Sequence, residues 1–204
     1  MDRLIIEAKK IMGDNFIGPD ELQETSFLLF ESDRKLPYMP FSLEELKVKK
    51  EDYLLILGTG KMKNGKDVNI RNLCSYFGKN PDVSEPCFYN QDWYECESFI
   101  DVKMQDKWFL IRKNVYEESR AVQPLELMRK FVFPTAIDCA YTFFVSWFVK
   151  DIKLWDHDFV WCKDVDHNGD RIYVGKYYDI DGVNKNGFSI HRHLGLRSCY
   201  ACID

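Results

Sequence analysis

Leu4, Ile5, Ala8, Ile11 and Met12 recur at the three-and-four spacing of a helix with one apolar face, which predicts an opening helix within 1–13. Pro19, followed by Asp20 and Glu21, suits the first turn of a second, short helix, because proline there forfeits no hydrogen bond and the acids face the positive helix end. Phe27 to Phe30 is a short apolar run, and Pro37 and Pro40 keep 36–41 extended until Ser42 and Glu45 supply a capping box for a helix over 42–49. Asp52 to Gly58, DYLLILG, reads as a buried strand, with Asp67 to Ile70 as its hairpin partner across Asn64-Gly65. A helix over 70–77 ends at Gly78.

From 79 to 96 the chain has two prolines, several aromatics and no regular period, so this stretch is expected to be a long surface loop. Lys107 to Val115 reads as a strand, Pro124 to Lys130 and Pro134 to Lys153 as consecutive helices, and the chain returns to strands from Phe159. Trp161 to Ile180 places an acidic turn between two aromatic-rich runs, the signature of a β-hairpin. The expectation is one compact α+β domain over 1–204. It has a mainly antiparallel sheet whose C-terminal hairpin packs against a long, nearly buried helix at about 134–153.

Phe131 to Val149 has no lysine or arginine and could be mistaken for a membrane span. Asp138 near its centre would cost roughly 2.5–3.5 kcal/mol there, and the uninterrupted run from Cys139 to Val149 is too short to cross. Thr135, Asp138, Thr142 and Ser146 fall on one helical face instead, a narrow polar stripe on an otherwise apolar helix. That stripe either lines a pocket or satisfies neighbouring backbone.

Composition supports a folded core, with 46% hydrophobic residues against 30% charged ones. The net charge of -5 gives no global attraction for nucleic acid or anionic lipid. Seven cysteines, an odd and uneven set, suit reduced thiols better than a disulfide framework, and the N-terminus lacks a secretory apolar run, so a soluble cytoplasmic protein is expected.

Three patterns carry candidate chemistry. Gly60 to Asp67, GKMKNGKD, nearly fits the phosphate-binding G-x-x-x-x-G-K-[ST], but Asp67 sets a carboxylate where a hydroxyl should meet magnesium. Asp164, Asp166, Asn168 and Asp170 with Gly169 match the opening of a calcium loop. The twelfth position is Gly175 rather than glutamate, which leaves a weaker hairpin cation site or simply the residues a turn favours. His191, His193, Cys199 and Cys202 are the residue types of a tetrahedral zinc set, although only five residues separate His193 from Cys199.

The leading functional expectation is a non-catalytic binding or accessory protein with a protein partner. Its contact surface is placed in 86–94, where Phe88, Tyr89, Trp93 and Tyr94 are anchor types that otherwise fold back over the core. The alternative is a metal-dependent, hydrolase-like enzyme using calcium at the acidic turn or zinc at the C-terminal set. A third is a nucleic-acid accessory protein with a basic edge of Lys47, Lys49, Lys50, Lys61, Lys63 and Lys66.

Overall fold

The structure, a computed structural model, describes residues 3–31, 33–178, 186–192 and 196–204, with positions 177 and 178 described by backbone only. In chain order the elements are α1 (Arg3–Met12), β1 (Phe16–Ile17), α2 (Pro19–Gln23), α3 (Leu43–Lys49), β2 (Tyr53–Leu57), α4 (Ile70–Phe77) and β3 (Trp108–Arg112). They continue with α5 (Pro124–Leu127), α6 (Ala136–Lys150), β4 (Phe159–Val165), β5 (Arg171–Tyr178), β6 (Asn186–Arg192) and β7 (Tyr200–Ala201). No helix among the described residues is long and apolar enough to cross a membrane.

Helices and two mixed sheets make this an α+β protein. One sheet has the order β1-β2-β3, the other β6-β5-β4-β7, and each holds one parallel pair, β1 with β2 and β4 with β7. Five consecutive buried residues in β2 mark a strand covered on both faces. Its antiparallel partner is β3, Leu55 opposite Leu110, not the segment 67–70 expected from the sequence. Asn69 instead accepts a hydrogen bond from Asn72 N at 2.8 Å and so starts α4. The turn at Asn64-Gly65 does form, with Gly65 at φ 81 and a bridge between Lys61 and Asp67, but the reversal is local.

Helix α6 lies at the centre, buried from Ala136 through Ser146. Over that stretch, with no wet side, every polar side chain must be satisfied within the protein. Thr135 Oγ1 accepts from Asp138 N at 3.0 Å, and Asp138 Oδ2 accepts from Thr135 N at 3.4 Å. Thr142 Oγ1 donates to Asp138 O at 2.7 Å, and Ser146 Oγ lies 3.3 Å from both Phe143 O and Ile152 O. Lys107 pairs with Asp138 at 2.8 Å. The polar stripe is thus used on neighbouring backbone and one ion pair.

The apolar sides of α6 join both halves of the core. Phe144 stacks on Phe77 of α4 at 4.2 Å between centroids and on Phe88 at 4.7 Å, and Phe143 meets Phe188 of β6 at 5.1 Å. Tyr141 donates its hydroxyl hydrogen to Leu57 O at 2.9 Å, tying the helix to β2. Since Phe144 is fully buried, Phe144→Ala is expected to remove about 3–5 kcal/mol of stability in urea denaturation. Val48→Ala, at an exposed position, should stay within about 0.5 kcal/mol, and equal losses would contradict this account of the core.

Candidate functional site

The acidic turn joins β4 to β5. Asp166 Oδ1 accepts from Asn168 N and Asp170 N, both at 2.8 Å, and Gly169 takes the left-handed backbone at φ 86 that closes the bend. Asp166 Oδ2 faces Arg192 Nη1 at 3.0 Å. Burial works to raise this carboxyl, but the backbone N–H of Asp170 and the Arg192 guanidinium outweigh it and hold the group below the usual range. Asp164 Oδ2 is turned to the start of α6, where it accepts from Ala136 N at 2.7 Å, and burial pushes its carboxyl up. Asn168 and Asp170 are exposed. The four residues read as a calcium loop are therefore not gathered round one point, and the exit from the turn is the strand β5 rather than a helix.

The turn instead meets a residue from far upstream. Glu97, almost fully buried, accepts from His167 N at 3.0 Å with Oε2 and lies 2.6 Å from His167 Nδ1 with Oε1. Ligand-type atoms of Glu97, Asp166 and His167 all fall within 4.8 Å of one another. His167 is mostly solvent-exposed, so the group opens outward on that side. Two carboxylates and an imidazole form a mixed oxygen and nitrogen donor set suited to divalent cations such as zinc or manganese. Sequence pattern pointed to Asp166 alone. His167 occupies a spacer position of the calcium-loop pattern, and Glu97 carries no local signal of its own.

The C-terminal zinc set does not assemble among the described residues. β5 and β4 lie between β6, which carries His191, and β7, which Cys199 precedes and Cys202 follows. Three strand spacings amount to about 14 Å, whereas zinc ligand atoms lie within about 4 Å of one another. His193 lies outside the described residues. His191 is packed among aromatic rings, stacked on Tyr173 at 5.3 Å and edge-on to Phe159, with Nε2 buried and unpartnered. Cys202 is buried and its thiol is pushed up to about 11 by burial.

The segment expected as a partner surface serves the protein's own sheet. Phe88 and Tyr94 are buried, and Tyr89 and Trp93 are half-buried. Phe188 N donates to Cys87 O at 2.9 Å and Tyr89 N to Phe188 O at 2.8 Å. Beyond them Ile190 N donates to Gln91 Oε1 at 3.1 Å, and Trp93 Nε1 donates to Ile190 O at 3.0 Å. Backbone first and side chains after it thus cover the open edge of β6. The approach demands glycine at 187, at φ 132, where a Cβ would lie 2.6 Å from Cys87 O. The stretch 79–96 has neither helix nor strand, yet it is held at several points along β6.

The lysine-rich edge is largely neutralised. Lys47, Lys49, Lys50 and Lys61 each face a carboxylate, and Lys63 Nζ donates to Thr25 O at 2.6 Å. Asp67, which broke the phosphate-loop pattern, is shared by Lys61 and Lys103. Of the cavities described, one of about 520 Å³ lies between α1, α2 and the segment 30–39, one of about 350 Å³ lies at the start of α6, and one of about 390 Å³ lies beside 152–158. With this geometry in place, comparison with protein-family models, with curated proteins and with solved structures gave no match.

His191 makes a pH prediction. Burial lowers its imidazole to about 4 from the ordinary 6.5, so between these values the unfolded chain binds a proton that the folded chain refuses. The associated stability is complete above pH 6.5 and is lost as pH falls toward 4. Urea midpoints at pH 7.5 and pH 5 should therefore drop less in His191→Phe than in the parent, and equal drops would rule His191 out as the source.

Proposed function

We propose that this protein binds one divalent cation through Glu97, Asp166 and His167, and that the cation acts as a structural or sensing element. The observation that carries this reading is the convergence of the three ligand-type groups within 4.8 Å, two of them buried carboxylates. Buried carboxylates need partners, which Arg192 supplies to Asp166 and the backbone and ring of His167 supply to Glu97. A cation would replace the hydrogen bond between Glu97 and His167. None of the cavities described is walled by these residues, which favours a cation that fastens the β4–β5 turn to Glu97 over one that turns over a substrate. Calorimetric titration with zinc and manganese is expected to give one equivalent bound and a raised melting temperature. Both effects should vanish in Glu97→Gln and His167→Ala and survive in Asp164→Asn. Binding that persists in the first two variants, or is absent in the parent, refutes the site.

A second reading, a protein-binding module, is favoured by the groove of about 520 Å³ and by Tyr38 at its rim, 84% exposed beside Leu36 and Pro37. A photo-crosslinking residue at position 38 in the native host should yield one discrete adduct. The same residue at Val48, exposed but outside the groove, should not. Identical adduct patterns at the two positions would dismiss the groove as a docking surface.

A further inference from the structure

Asp166 has two carboxylate oxygens, and the fold treats them differently. Oδ1 is filled by the backbone, accepting from Asn168 N and Asp170 N, both at 2.8 Å. Among the described residues Oδ2 accepts only from Arg192 Nη1, at 3.0 Å. The one oxygen of Asp166 left for a cation is therefore the one on which a guanidinium already stands.

Burial sharpens the conflict. The Asp166 side chain has no exposed surface and that of Glu97 keeps 5%, whereas the side chain of Arg192 is 38% exposed and that of His167 66%. The imidazole and the guanidinium are the solvent-facing members of the group, and the carboxylates are the covered ones. An ion arriving from water meets His167 directly but reaches Oδ2 only where Arg192 yields its place.

A divalent ion bonded to Oδ2 at about 2.0–2.2 Å would face that guanidinium across a few ångströms, and like charges so close repel. Arg192 has somewhere else to rest. It stands at the end of β6 with its guanidinium carbon 4.9 Å from the centre of the Trp93 ring. The ring is itself fixed, since Trp93 Nε1 donates to Ile190 O at 3.0 Å. An aromatic face and water are thus available to the arginine in exchange for the carboxylate.

We propose that Arg192 is an exchangeable counter-charge at this site: it neutralises Asp166 while the site is empty, and a divalent cation binds by displacing it. Given the cation reading above, on which this exchange rests, the protein's own arginine competes with the metal for Oδ2 and so sets its affinity. The two roles open to Arg192 differ in sign. A residue that only orients a metal ligand weakens binding when it is lost, whereas a competitor strengthens it. The exchange also carries the event beyond the β4–β5 turn, because Arg192 belongs to β6 and Trp93 to the segment that covers its edge.

Calorimetric titration of the full chain with zinc separates the two roles. Arg192→Gln, which removes the charge, should bind one equivalent roughly tenfold more tightly than the parent. In the parent, the Arg192 guanidinium N–H signals in nitrogen-edited NMR, assigned through its backbone, should exchange faster with water at saturating zinc, as those of a released side chain do. A merely orienting arginine stays on Asp166 and keeps its exchange rate. If Arg192→Gln does not fold without metal, this measurement on the parent decides alone. One equivalent of zinc bound by the parent, with equal or weaker affinity in Arg192→Gln or unchanged exchange at Arg192, overturns the competitor role and leaves the site standing. No zinc bound by the parent refutes the site itself and the exchange with it.

Discussion

A helix enclosed by protein over its first three turns can keep no polar atom there that lacks a partner, and the organisation around α6, buried from Ala136 through Ser146, follows from that constraint. Thr135 and Asp138 close the helix start on each other, while Thr142 and Ser146 spend their hydroxyls on nearby carbonyls. Asp164 reaches from β4 to Ala136 N, and Lys107 from the approach to β3 reaches Asp138. The helix start is therefore the place where both sheets are tied to one element. A residue borrowed for this purpose is lost to other work, which is why Asp164 contributes nothing to the turn two residues on.

The same constraint shapes the candidate site. Asp166 is oriented by two backbone N–H groups and Arg192 before any ligand is considered, and Glu97 is oriented by His167. Such pre-set carboxylates resemble the supporting arrangement of a metal site, in which partners fix each ligand's direction.

Much of the secondary structure was legible because it is written in local periods and caps: the three-and-four spacing of α1, Ser42 before α3, the apolar run of β2 and the hairpin around Gly169. The partner of β2 was not legible, since Asn69 prefers to cap α4 and the true neighbours lie far away in sequence. The candidate site was half legible. Asp166 stands in a recognisable turn, but Glu97 lies 70 residues before His167, and His167 occupies a position that the turn pattern leaves unspecified. The C-terminal histidine and cysteine pattern misled for a related reason: nearness in sequence says nothing about how many strands intervene once the sheet has its order. Aromatic residues in 86–94 were equally ambiguous, because rings that anchor a partner also anchor an internal edge.

The cover on β6 has a direction in time. Gln91 precedes Ile190, its hydrogen-bonding partner, by 99 residues, so a growing chain always possesses the cover before it possesses the edge. The reverse order would leave a finished strand waiting with its amides bare, open to pairing with another nascent chain. In this protein the exposed edge need never exist: the last large strand emerges into a molecule that already carries its protector.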